Sequence, residues 1–116
     1  MPDSECLFCR IERGELNAEI VYQNDAVIAF RDIHPQAPTH ILIIPRKHIA
    51  TIDDLQGDDA ATVGALFLAA KELAASEGLA ESGYRVAMNC GEGAGQSVFH
   101  IHLHMLGGRA FSWPPG

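Results

Sequence analysis

The sequence has 116 residues, a length that suits a single domain over residues 1–116, and 47% of them are hydrophobic, enough for a core. Only 20% are charged and the mean hydropathy is +0.05, so the composition excludes a mainly disordered chain. The net charge of −7 argues against nucleic acid or an anionic membrane as a partner, because both require a basic surface.

The sequence also predicts where the protein resides. No apolar run approaches the roughly 18 residues of a membrane-spanning helix, so we expect no membrane partner. The acidic N-terminal residues lack the basic and apolar regions of a secretory signal. Three cysteines, an odd number, suit a reducing compartment better than a disulfide framework. We therefore expect a cytoplasmic protein.

The first half of the chain predicts one short helix, three strands and one long helix. The short helix covers residues 5–13, and two strands at 19–23 and 26–31 form a hairpin at Asn24-Asp25. Residues 40–45 are typical of a buried strand that ends at a proline. Apolar residues at three-four spacing then predict a long helix over residues 58–77.

The second half predicts two further strands separated by a glycine-rich loop. The strands cover residues 83–89 and 97–106, and the loop covers residues 90–96. Five strands with one long helix predict an α+β fold built on a five-stranded antiparallel sheet. Such a sheet leaves an edge or a face to be covered, which favours a homodimer.

Three of the six histidines, His100, His102 and His104, alternate with apolar residues near the C-terminus. Residues two apart in a strand share a face, so the pattern predicts a row of imidazoles opposite a buried apolar face. Successive N–H groups in the preceding loop can bind an anion, since glycines reach positive φ angles. A phosphate beside imidazoles indicates phosphoryl or nucleotidyl transfer with histidine as the nucleophile.

Two other classes of function stay open from these residues. His-x-His on a strand is also a common metal-binding pattern, so the triad is compatible with a metallohydrolase that uses a catalytic zinc. The sequence offers no clear acid or base for such a site. The third class is a nucleotide-binding or scaffold protein whose hydrolysis is incidental.

Cys6 and Cys9 form a Cys-x-x-Cys motif near the N-terminus. This spacing is right for one half of a zinc site, whereas a thioredoxin-like motif would need a preceding strand that the sequence lacks. Two buried thiols without a ligand remain the alternative. Cys90 has no partner in this scheme.

The histidine alternation resembles the signature of the histidine triad (HIT) superfamily, and the similarity extends over nearly the whole chain. The Trp-Pro-Pro-Gly sequence at 113–116 resembles the Hint branch, the histidine triad nucleotide-binding proteins. Other matching segments are residues 32–33, 35–40, 44–48, 89 and 95–97.

The resemblance implies a fold, an assembly and a reaction. It implies a homodimer whose sheet continues across the interface and a purine nucleotide (AMP or GMP) as ligand. The implied reaction is hydrolysis of purine nucleoside 5′-phosphoramidates of the AMP-NH2 and AMP-lysine type through a nucleotidyl-histidine intermediate. Hydrolysis of dinucleotide polyphosphates is the alternative within the family, and the C-terminal Trp-Pro-Pro-Gly speaks against it.

The resemblance also implies roles for individual residues. His102 is the expected nucleophile, His104 contacts the α-phosphate, and Ser97 lies near the leaving group. His100 completes the triad, and His40 supports it from behind.

The remaining implied roles concern binding. Asp32 holds the ribose hydroxyls, Asn89 contacts the nucleotide, and Gly95 and Gln96 supply phosphate donors. The walls around the base are apolar: Leu7, Phe8, Ile11 and Ile33. A structural zinc is implied at Cys6, Cys9, His48 and His100, and catalysis requires no cofactor.

Overall fold

The computed structural model describes residues 5–116 and contains five strands and two α-helices within that range. Single 3₁₀ turns lie at Ile52–Asp54, Gly57–Asp59 and Glu92–Ala94. In chain order the main elements are α1 (Leu7–Glu12), β1 (Ile20–Gln23), β2 (Val27–Arg31), β3 (Thr39–Pro45), α2 (Ala60–Ser76), β4 (Tyr84–Ala87) and β5 (Leu103–Gly107).

The five strands form one antiparallel sheet in the order β1-β2-β3-β5-β4. The β1–β2 hairpin is the predicted one, and the Asn24 side chain accepts hydrogen bonds from the N–H groups of Ala26 and Val27. β5 lies between β3 and β4, with Leu42 and Ala87 on either side of His104. This arrangement confirms the predicted α+β fold with one long helix.

The two faces of the sheet pack against different helices. On one face, α2 covers a core that includes Ile41, Ile43 and Leu66. On the other face, α1 packs over a smaller cluster that includes Leu42 and Ile44. Because strand residues alternate between faces, His104, which is paired with Leu42, lies on the α1 face. The triad region is therefore on the side of the sheet away from the long helix.

The C-terminal strand is shorter than the sequence pattern predicts. The prediction of a strand over residues 97–106 is wrong in its first half, because β5 begins at Leu103. The Ile101 N–H donates instead to the carbonyl of Ile49, 2.8 Å away. His100 and His102 therefore precede the strand, and only His104 lies within it.

The helices differ from the prediction only at their ends. α2 starts at Ala60 because Gly57–Asp59 forms a 3₁₀ turn. Gly78, just beyond α2, has φ of +75°, which suits the predicted stop. In the part of the chain that the structure describes, no helix has the length and apolar character needed to cross a membrane.

Candidate active site

The His102 imidazole is buried and has a defined tautomer. Its Nδ1 lies 2.9 Å from the carbonyl oxygen of His100 and donates its hydrogen to that acceptor. The lone pair of the neutral ring is therefore on Nε2. Burial lowers the pKa of His102, although Asp32 and the bond to His100 oppose that shift. The ring is held edge-on to Phe8, with centroids 5.0 Å apart.

A chain of hydrogen bonds fixes the protons of His40 and His104. The Gln36 N–H donates to Nδ1 of His40 at 3.0 Å, so the hydrogen of His40 is on Nε2. That hydrogen is donated to Nδ1 of His104 at 2.9 Å, which leaves the His104 hydrogen on Nε2. Asp32 also lies 3.4 Å from Nε2 of His40.

Both of these histidines are neutral near pH 7. Burial lowers the pKa of His40, with Asp32 opposing. Burial, together with the neighbouring His102 and His40, lowers the pKa of His104 to about 4, again against the effect of Asp32. The neutral state is the one that the hydrogen-bond chain requires, because a protonated His40 could not accept from Gln36.

One pocket beside His102 contains the residues expected to bind the nucleoside. It has a volume of about 250 Å³ and is mostly apolar, with the Asp32 carboxylate at one side. Phe8, in the wall of this pocket, packs against the His102 ring, and Asp32, in the same wall, lies near Nε2 of His40. Five predicted binding residues line it together: Leu7, Phe8, Ile11, Asp32 and Ile33.

A second pocket, of about 270 Å³, lies on the other side of His104. Asn89, another predicted nucleotide contact, is in its wall with His40 and His104. So are Arg85 and Arg109, which the sequence pattern did not single out. A signal was present: Arg85 is two residues before Ala87 in the edge strand, so it lies on the same face as the residue paired with His104.

The glycine-rich loop is held together by Gln96, whose side chain is buried. Its Oε1 accepts from the Gly91 N–H at 2.8 Å, and its Nε2 donates to the carbonyls of Ala50 and Val98. The main-chain N–H groups of Gly95 and Gln96 donate to carbonyls within the loop. Ser97 follows directly and is exposed. The loop is thus a fixed turn that ends at the serine.

Cys6, Cys9, His48 and His100 form a separate cluster whose donor atoms all lie within 4.8 Å of one another. Nε2 of His100 donates to the Pro45 carbonyl at 2.8 Å, which directs the Nδ1 lone pair toward the two sulfur atoms at 3.4 and 3.5 Å. Nδ1 of His48 is 3.2 Å from Sγ of Cys9. Two sulfur and two imidazole donors are a set that zinc prefers, so these residues fit the ion.

Comparison with known proteins identifies the family. A sequence model of the HIT domain matches residues 13–111. The chain belongs to the HIT family. Among relatives of this HIT protein, the purine nucleoside phosphoramidase of Escherichia coli K12 is 50% identical over 90% of this chain and 88% of that protein. An uncharacterized HIT-like protein of Synechococcus elongatus is 48% identical over 97% of both chains.

Solved structures give the same result. A HIT family hydrolase from Legionella pneumophila has a TM-score of 0.95 and 55% identity, covering 97% of this chain and all of the other. The HIT fold predicted from the sequence is therefore confirmed.

The geometry divides the three triad histidines among three settings. His100 is directed into the cysteine cluster, His102 presents a lone pair near the pocket lined by Phe8 and Asp32, and His104 presents an N–H beside the second pocket. A nucleophile and an adjacent hydrogen-bond donor are what displacement at a phosphorus atom requires.

Proposed function

We propose that this HIT protein hydrolyses purine nucleoside 5′-phosphoramidates through a nucleotidyl intermediate on His102. The observation that carries the proposal is the tautomer of His102, whose Nδ1 hydrogen is held by a carbonyl so that Nε2 has an available lone pair. The 50% identity to a purine nucleoside phosphoramidase supports the choice of substrate.

The nucleoside occupies the pocket beside Phe8. The apolar walls contributed by Leu7, Ile11 and Ile33 cover the base, and the two oxygens of Asp32 accept hydrogen bonds from the ribose hydroxyls. This placement brings the 5′-phosphate to His102 and His104. Asn89, on the far side of His104, contacts the phosphate end of the nucleotide.

The reaction proceeds in two displacements. Nε2 of His102 forms a bond to the α-phosphorus while the P–N bond to the amine breaks, and the departing amine takes up a proton. Water then attacks phosphorus, the bond to His102 breaks and a proton is released, so that the products are a nucleoside monophosphate and an amine. The Nε2 hydrogen of His104 stabilises the charge on the phosphoryl oxygens.

The loop before the triad interacts with the leaving group and with the phosphate. Ser97 is exposed at the end of the loop, where its hydroxyl can pass a proton to the departing amine. The N–H groups of Gly95 and Gln96 now donate to the carbonyls of Glu92 and Gly91, at 3.0 and 3.1 Å. To donate hydrogen bonds to the phosphate, they must give up these bonds.

A structural zinc at Cys6, Cys9, His48 and His100 is also part of the proposal. Bound there, the ion would tie α1 to the segment before β5 and supply no chemistry to the reaction. The donor set fills four positions, which is the closed arrangement of structural sites. We further propose that the protein works as a cytoplasmic homodimer.

Mass spectrometry of the intact protein tests the covalent step. Brief mixing with a nucleoside phosphoramidate should add the mass of one nucleotidyl group, and the adduct should map to His102. His104→Ala keeps the nucleophile and should still form the adduct, more slowly, whereas His102→Ala should form none. An adduct on another residue, or turnover with no adduct at any mixing time, would contradict the mechanism.

A further inference from the structure

Two arginines beside the candidate site have no carboxylate partner among the residues that the structure describes, in a chain that is rich in acids. Fifteen acidic residues outnumber eight basic ones, and five basic side chains form ion pairs with carboxylates. Within residues 5–116, the three that do not are Lys71, Arg85 and Arg109. Lys71 is exposed on α2, but the two arginines lie together.

Arg85 and Arg109 share one aromatic ring. Their guanidinium carbons are 5.2 and 4.3 Å from the ring centroid of Phe111. Arg85 donates to the Ser112 carbonyl, and Arg109 donates to the carbonyls of Gln36 and Ala110. A guanidinium has five N–H groups, so most of these donors remain available to a ligand.

The arginines lie close to His104 of the triad. Arg85 is paired with Leu106, and His104 is two residues from Leu106 on the same face, a diagonal separation of about 7–8 Å between strand neighbours. From Arg109, hydrogen bonds run through Gln36 and His40 to His104. All of them meet at the same pocket of about 270 Å³.

We propose that this pocket binds the leaving group and selects amines that carry a carboxylate, such as amino acids joined to the nucleotide through nitrogen. The inference rests on the proposed function, which places the nucleoside in the pocket beside Phe8 and the phosphate at His102 and His104. The leaving group then extends past His104 toward Arg85 and Arg109.

A carboxylate fits this pocket better than a second nucleotide does. The guanidinium fork matches the two oxygens of a carboxylate. The walls between the arginines and His104 include Leu106, Phe111 and Pro115, which suit the short apolar stem of an amino acid. The volume of about 270 Å³ is just below the range of roughly 300–1,000 Å³ that is typical of drug-sized ligands, so it suits a smaller group such as one amino acid.

Matched substrates test the inference. Adenosine 5′-phosphoramidates of glycine and of γ-aminobutyrate are each compared with the corresponding amide, which has the same shape and no charge. We expect kcat/KM for the acid to exceed that for the amide by about tenfold with glycine, with the longer γ-aminobutyrate, or with both. Arg85→Gln and Arg109→Gln should each reduce this ratio severalfold, because each removes a positive charge that attracts the acid and not the amide.

Lys71→Gln is the matched control, because it removes the same charge from a residue that also has no carboxylate partner but lies on α2. It should leave the acid-to-amide ratio unchanged, which separates a local contact from the net charge of the protein. Diadenosine triphosphate is tested as a separate substrate whose leaving group carries phosphate in place of a carboxylate.

Each outcome decides the question. A ratio near one in the unaltered protein, or a preference that survives both arginine substitutions, would overturn the inference and leave the phosphoramidase proposal intact. Equal losses for acid and amide would overturn it too, and would assign the arginines to holding residues 110–112. Arginine dependence seen only with diadenosine triphosphate would point to a phosphate subsite instead. No turnover of any phosphoramidate would overturn the proposed function itself and the inference with it.

Discussion

At the scale of single residues, the partner of each imidazole decides which nitrogen carries the hydrogen. His100 and His102 both donate to main-chain carbonyls, but through opposite nitrogens, Nε2 and Nδ1. His104 accepts from His40 at Nδ1. Three histidines in one short segment therefore present a directed lone pair, a second directed lone pair and an N–H, in that order.

Replacement of His102 by alanine should abolish turnover and spare binding. The loss should reach several powers of ten, as for other covalent nucleophiles, because the lone pairs of His100 and His104 are directed to the cysteine cluster and to His40. Nucleotide affinity should change by less than about threefold, since the walls and Asp32 are untouched. Steady-state kinetics and calorimetry measure the two quantities. Retention of more than about a tenth of the activity would contradict the role.

The low pKa of His104 predicts a stability that depends on pH. Its folded-state pKa of about 4 is below the ordinary value of 6.5, so the unfolded chain binds more protons between these values. The free energy of unfolding should therefore decrease as pH falls from about 6.5 to about 4, by on the order of 2 kcal/mol from this residue. Burial is the largest cause of this lowered pKa, His102 and His40 lower it further, and Asp32 opposes the shift.

Urea titrations of the unaltered protein and of His104→Gln at about pH 7 and about pH 5 isolate this contribution. The unaltered protein should lose more stability over that interval than the variant does. Equal losses in the two proteins would mean that His104 is not held neutral by the fold.

At the scale of elements, adjacent loop residues should separate stability from activity. Gln96→Ala removes three partly buried hydrogen bonds and leaves the Ala50 carbonyl and the Gly91 N–H without that partner, so it should cost about 1–3 kcal/mol. Ser97→Ala changes an exposed side chain and should alter stability by less than about 0.5 kcal/mol while lowering kcat. Thermal unfolding and kinetics on both variants check this, and the reverse pattern would refute it.

The cysteine cluster predicts that metal holds α1 in place. Protein purified without chelator should contain about one zinc per chain by elemental analysis. Chelation should lower the melting temperature, as should Cys9→Ser, because the ion links α1 to His48 and His100. Cys90→Ser is the matched control, since Cys90 is half-buried and outside the cluster, and it should retain the metal. Metal-free protein with an unchanged melting temperature would rule the site out.

At the scale of the whole molecule, the sheet ends in two edge strands, β1 and β4. Large apolar side chains such as Phe67, Leu68 and Trp113 are 52%, 65% and 82% exposed in the single chain. Open edges and exposed apolar groups favour pairing with a second copy. Pro115 lies in the pocket beside His104 of its own chain, and we predict that in the dimer the tail also reaches toward the partner's site.

Light scattering coupled to size exclusion should give the mass of a dimer at micromolar concentration. Removal of residues 113–116 should then lower activity more than it lowers the dimer fraction, because the tail belongs to the site. A monomer mass under the same conditions would contradict the prediction.

Much of this protein could be predicted from local patterns. Alternation and three-four spacing predicted the five strands and α2, since these periods depend on which face of an element is buried. The cysteine spacing predicted one half of a zinc site at Cys6 and Cys9, and the family resemblance implied His48 and His100 as the other half. The apolar residues 7, 8 and 11 were assigned to the nucleoside pocket by resemblance, and they do share one pocket with Asp32.

Only the tertiary structure decided how those parts act. Alternation predicted one row of three imidazoles on one face, but β5 begins after His102, and the rings of His100 and His104 hydrogen-bond to partners from elsewhere in the chain. The Gln96 side chain is buried because it accepts from the Gly91 N–H and donates to the Ala50 carbonyl. The residues adjacent to Gln96 in the sequence do not predict these contacts. Arg85 and Arg109 became a pair only through the register of β4 and β5 and the ring of Phe111. Local periodicity determines which face a side chain occupies. The protons of His100 and His104, the ring that packs against His102 and the pockets beside them depend on residues distant in sequence, which only folding brings together.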